Sequence, residues 1–176
     1  QCEPTNSARW VALEKAAGQL GRYPDVIEVY GDLVDEGHAG VPLALRAAGL
    51  CEAQLEEPAL AADFFERIVD IEPDHAEANA SLERIYRGLE SWDDLVVYFE
   101  RRIEAAHSDD ERVALLDQLK DIHESHRDDA DAVISLLLRR LDITPTHRPA
   151  FDSLLARYVK LERFDEGESL YRRWLD

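Results

Sequence analysis

The chain has 176 residues, 45% of them hydrophobic, which is enough apolar surface for one ordinary domain or a short array of repeats and too much for a disordered chain. Its 38 acidic against 20 basic side chains give a formal charge of -18, and a field of that sign repels phosphate backbones, so nucleic acid is excluded as an expected partner. No window approaches the roughly 20 apolar residues that cross a bilayer, so direct membrane insertion is not expected either.

Residues 1–6 read as a flexible polar tail carrying Cys2. Helical periodicity starts at Ser7, with Trp10 and Leu13 at first-helix core positions. Gly21 then ends one helix and Pro24 opens the next, the Gly-then-Pro order of a helical hairpin. Val26, Val29, Tyr30, Leu33 and Val34 make the stripe of the second helix, and the pair spans residues 7–40.

The segment 42–75 repeats this plan. Leu45, Ala48, Gly49 and Leu55 fall at helical spacing. Pro58 opens a second helix, on which Ala61, Phe64, Phe65, Ile68 and Val69 recur at i, i+3, i+4, i+7 and i+8, and Pro73 closes the unit. With Gly49, Ala61, Phe65 and Pro73 at its small, Ala, aromatic and Pro positions, the segment resembles the tetratricopeptide repeat family, a 34-residue helix-turn-helix, as found in pieces of bacterial repeat arrays. Glu52 stands where the family has a Tyr.

Asp74 is the expected cap of the next helix, with Glu77 three residues on and Ala78, Leu82, Ile85, Tyr86 and Leu89 on its buried face. Ser91 precedes the partner helix with Leu95, Tyr98, Phe99 and Ile103, completing residues 76–109. Ser108 to Glu111 reads as a capping box, followed by Val113, Leu116, Leu119 and Ile122 and then by Val133, Leu136, Leu137 and Leu141, in residues 110–147. The last pair, 148–176, shows Phe151, Leu154, Tyr158, Leu161, Leu170, Tyr171, Trp174 and Leu175. A shift of about 72 residues lays Asp70 to His75 on Asp142 to His147, Tyr86 on Tyr158 and Phe99 on Tyr171. No segment alternates with the period of a strand, so the expected fold is all-α, a right-handed α-solenoid of about five repeats within a longer array.

His123 and His126 stand i, i+3 beside Asp121, Asp128 and Asp129, a spacing able to hold a metal, but the repeat register makes both packing positions. Cys51 lies in an apolar helix pattern and reads as a small hydrophobe. No phosphate loop, nucleophile elbow or HExxH helix is present, so no catalytic residue, metal or cofactor is expected.

What the resemblance implies is a non-catalytic scaffold whose first helices line a concave groove for a peptide or helix of a partner protein. The implied lining is Lys15, Gln19, Arg46, Leu50, Gln54, Arg84, Arg87, Asp117, Asp121, Glu124, Asp152 and Ala156. Lys15 and Ala47 occupy the places of the Asn residues in the family's carboxylate clamp, so that clamp is not expected. The cations among the first three repeats point to an acidic segment on the partner, and reversing Arg46 and Arg84 is expected to abolish binding with little change in melting. The rival expectation is a structural segment that self-associates through its exposed repeat ends. Cytoplasmic location is favoured, with a removed N-terminal targeting segment left open.

Overall fold

A computed structural model describes residues 4–38 and 40–175. Cys2 and residues 1–3 of the expected 1–6 tail lie outside them, and residues 4–6, expected in that tail, are the first of α1 (Pro4–Leu20). The described residues are helical hairpins with no strand among them, the all-α repeat architecture expected from the apolar periodicity.

The chain divides into two units, residues 1–91 and 92–176. The first holds α1 (Pro4–Leu20), α2 (Tyr23–Asp35), α3 (Gly40–Leu50), α4 (Pro58–Ile71) and α5 (Ala76–Gly88). The second holds α6 (Trp92–Ala105), α7 (Asp109–Ile122), α8 (Ala130–Ile143), α9 (Arg148–Lys160) and α10 (Phe164–Leu175). Consecutive helices pack on one another within each unit.

One local device closes every first helix. A residue in the left-handed region follows it, namely Gly21, Glu56, Glu90, Asp128 and Glu162, and the next helix begins two residues later. Only Gly21 is a glycine there; each acidic residue bears the Cβ crowding of that region. The residue after the left-handed position donates its N–H five residues back at 2.8–2.9 Å, Arg22 to Ala17, Ser91 to Tyr86 and Arg163 to Tyr158. In the α3–α4 hairpin the bond reaches six residues back, Glu57 to Cys51 at 3.0 Å, because α3 continues as a wider π turn over Cys51–Leu55. That turn absorbs one extra residue, so Cys51 and not Glu52 occupies the place of Tyr86 and Tyr158. A second π turn, His123–Arg127, extends α7 and gives His123 the same buried place.

Helix starts differ from expectation in two places. The α5 cap is His75, whose Nδ1 accepts the Ala78 N–H at 3.2 Å, not Asp74. His147 caps α9 in the same way through Ala150 at 3.3 Å, so the 72-residue likeness is a repeated imidazole cap. At α7, Ser108 Oγ accepts from Glu111 N–H at 3.1 Å, but the Glu111 carboxylate returns to His107 N–H, one residue before the reciprocal position of a capping box.

The cores follow the stripes, with shifts where Ala replaces larger residues. Phe64, Phe65, Ile68 and Val69 are buried on α4, and Leu95, Tyr98, Phe99 and Ile103 on α6. On α3 the buried face is Leu43, Ala44, Ala47, Ala48 and Cys51; Leu45 is half-buried and Gly49 is exposed, with open space where a Cβ would stand. The small residues that let α3 sit close to its neighbours are thus alanines, and Gly49 has no packing role. Val29, Leu89 and Leu161 are exposed, and Ile27 takes the α2 core place expected for Val29.

Candidate partner-binding face

In the first unit, α1, α3 and α5 carry the expected lining. Lys15, Gln19 and Gln54 are exposed and Leu50 is half-buried. Arg46 is held by Glu14 of α1, Nε to Oε1 at 2.9 Å and Nη2 to Oε2 at 2.6 Å, with side-chain exposures of 30% and 16%. The buried Tyr30 hydroxyl donates to the same Glu14 carboxylate at 3.0 Å, and Trp10 sets its ring edge-on to Tyr30 at 5.2 Å. The hydrogen bond to Glu14 raises the Arg46 pKa further above its ordinary value, and burial followed by the same carboxylate pushes the Tyr30 hydroxyl well above the phenol range. Arg84 donates to Glu52 at 2.6 Å and Arg87 to Glu83 at 2.9 Å. Each arginine of the expected cationic stripe is therefore already engaged by a carboxylate.

In the second unit the expected acids are engaged as well. Asp121 and Glu124 accept from Lys120 at 2.6 and 3.1 Å, and Glu124 also accepts from Arg157. Burial opposes the Lys120 charge, but these two carboxylates prevail and raise its pKa. Asp152 pairs with Arg148 at 2.9 Å, Asp117 lies 3.5 Å from Arg140, and Ala156 is exposed.

Several pairs share a spacing. Glu14–Arg46, Asp35–Arg67, Glu52–Arg84 and Asp131–Arg163 are all 32 residues apart, and Asp142–Arg173 is 31 apart, so acids of one hairpin meet arginines of the next. Sequence reasoning placed Arg46 and Arg84 on first helices but did not identify their partners, although an acid and an arginine one repeat apart was the signal.

A cleft of about 300 Å³ lies beside the second π turn, lined by His123, Glu124, Asp129, Val133, Arg157 and Lys160 among others. His123 Nδ1 and Arg157 Nε are buried there with no hydrogen-bond partner among the described residues. His126 is exposed and stacks on Trp92 at 3.6 Å and 8° rather than entering the core. No group of three or more His, Cys, Asp or Glu among the described residues is placed to hold a metal ion, and no described helix is long and apolar enough to cross a membrane.

No protein-family model and no curated protein sequence matches the chain. Among solved structures, it is similar to two crystal structures of MamA protein. One has 16% identity and a TM-score of 0.44 over 96% of this chain and 89% of that one. The other has 17% identity and a TM-score of 0.45 over 91% of each chain. It is also similar to a tetratricopeptide repeat protein from Parabacteroides merdae ATCC 43184, with 13% identity and a TM-score of 0.40 over 98% of this chain and 65% of that one.

Proposed function

We propose that the chain is a non-catalytic protein-interaction scaffold that receives a peptide or helix of a partner protein on the exposed faces of its first helices. The observation supporting this reading is that first helices of successive hairpins keep polar side chains in solvent, Lys15 and Gln19 on α1 and Gln54 at the end of α3, while their opposite faces are packed. Because Arg46 and Arg84 are already bound to Glu14 and Glu52, they would have to give up these pairs to take a partner's carboxylate. The reading therefore places recognition on Lys15, Gln19, Leu50 and Gln54, with amide hydrogen bonds and apolar contact, and not on an acidic segment.

Capture from the source proteome tests it, comparing wild type with Lys15→Glu/Gln54→Arg and with a control altered at exposed Glu28 of α2. A partner kept by wild type and control and lost by the first-helix variant is expected. Equal retention by all three would contradict the reading.

A further inference from the structure

Each unit carries a π turn, Cys51–Leu55 and His123–Arg127, followed one hairpin on by a histidine-capped helix, so residues 72 apart hold equivalent places. In the first unit two of these places are apolar and closed, Cys51 at 0% exposure and Ile85 at 2%. In the second unit His123 and Arg157 stand there instead, and Lys160 stands at the place of Gly88. His123 is only 6% exposed, yet its Nδ1 has no hydrogen-bond partner among the described residues, and neither has Nε of Arg157. Two apolar side chains are thus exchanged for polar groups that the fold does not satisfy, and a buried polar group left unmet is costly.

Both groups line the cleft of about 300 Å³ beside the second π turn. Its free charges come from two elements and are opposite in sign. On α9, Arg157 gives Nη2 to Glu124, which leaves Nε–H, a group that can only donate. Lys160, three residues on, is exposed and has no hydrogen bond or ion pair among the described residues. In the α7–α8 turn, Asp128 is exposed and unpaired on the same terms, while Asp129 commits one oxygen to the Ala132 N–H as helix cap. Lys160 and Asp128 therefore line one cleft without pairing with each other, and Val133 and Leu161 add apolar surface to it.

We propose that this cleft binds a free α-amino acid with an aliphatic side chain, its carboxylate held by Arg157 and Lys160, its ammonium by Asp128 and its side chain by Val133 and Leu161. The carboxylate supplies the acceptor that Arg157 Nε lacks. His123 Nδ1 can bond either charged end, because an imidazole nitrogen donates or accepts according to its tautomer. A plain anion meets Asp128, Asp129 and Glu124 with no charge to offset them, and a plain cation meets Arg157 and Lys160, so the lining favours a ligand that carries both charges. The volume lies at the lower end of small-molecule pockets, about 300–1,000 Å³, in keeping with a ligand of that size. The site goes beyond the partner-binding reading and does not rest on it, since Lys15 and Gln54 belong to the first unit and take no part in the cleft.

Isothermal titration calorimetry of the whole chain with L-leucine, L-isoleucine and L-valine, and with N-acetyl-L-leucine and L-leucine methyl ester, tests this. At least one of the three free amino acids is expected to bind one to one with a dissociation constant below about 1 mM. Each blocked form, having lost one charge, should bind roughly tenfold more weakly or worse than L-leucine. Lys160→Gln and Asp128→Asn should each weaken the free amino acid by a similar factor without changing the melting temperature, since both side chains are exposed and Asn tolerates the left-handed backbone at position 128. The Lys15→Glu/Gln54→Arg variant should bind it like wild type. No heat from any of the three free amino acids, blocked forms that bind as well as L-leucine, wild-type affinity in Lys160→Gln and Asp128→Asn, or loss of binding in the Lys15→Glu/Gln54→Arg variant would each overturn the proposal.

Discussion

Arg46 of α3 closes a two-pronged pair on Glu14 of α1, and the same carboxylate takes the hydroxyl of Tyr30 from α2, so three helices of the first unit meet at one side chain. Exposed ion pairs contribute about 0–1 kcal/mol, but this one is sheltered and fully hydrogen-bonded. Arg46→Ala leaves the sheltered Glu14 carboxylate without its cation and two of its donors and should cost about 1–3 kcal/mol. Reversal of Arg46 is therefore expected to lower the melting temperature, contrary to the neutral outcome that its helix position alone suggested. Arg84→Ala, at an exposed pair, should cost under about 1 kcal/mol. Thermal melts of the two variants make the comparison.

Glu90 and Glu162 hold positive φ of 54° and 56° where a glycine would be unstrained. Glu90→Gly should stabilise by about 0.5–1 kcal/mol, the relief of Cβ crowding exceeding the added backbone entropy of the unfolded chain. Gly21→Ala, at φ 66°, should destabilise by a similar amount. Denaturant midpoints for both variants, opposite in sign, check this.

His75 and His147 each accept the free N–H of the third residue of a helix through Nδ1. Replacement by Ala should cost about 0.5–2 kcal/mol at each site, whereas Asp, an acceptor at the same reach that also suits the helix N-terminus, should preserve stability. Equal loss with Ala and Asp would show that the imidazole serves packing and not capping.

Phe99 is wholly buried on α6 and Phe65 nearly so on α4. Truncation of either to Ala should cost roughly 3–5 kcal/mol, read as a drop in unfolding midpoint. Truncation of Tyr171, the half-exposed counterpart of Phe99, should cost clearly less.

Burial, followed by the nearby Asp63 carboxylate, pushes the Cys51 thiol from an ordinary value of 9.0 up to about 11. The fold favours the protonated thiol, so its contribution is complete below pH 9 and falls as pH climbs toward 11, where the unfolded chain has released the proton and the folded chain has not. Between pH 8.5 and pH 10 a Cys51→Ala variant should lose less stability than wild type, as measured by urea midpoints at each pH.

The helices were legible because their signals are local. Pro24, Pro58 and Pro73 punctuate the chain, and a stripe such as Ala61, Phe64, Phe65, Ile68 and Val69 fixes a buried face from neighbours within two turns. The α3 face was misplaced because three alanines bury as completely as leucines while carrying little hydrophobic signal, and Gly49 drew the eye instead. The π turns escaped because one inserted residue changes no composition and shows only in a hydrogen bond that spans six residues. The charged faces of Arg46 and Arg84 were placed on their helices, but their partners lie 32 residues away and belong to neighbouring hairpins. A single helix pattern holds no information about such a partner; only the repeat period does.

Arginine–carboxylate pairs set one repeat apart tie neighbouring hairpins together instead of standing free to receive a ligand. A double-mutant cycle on Glu14→Gln and Arg46→Met, read by denaturant unfolding, addresses it most directly. A coupling energy of about 1 kcal/mol or more is expected, with the double variant more stable than the sum of the single losses implies. Strictly additive losses would mean that the two side chains do not stabilise each other, and would return Arg46 to the partner-binding face.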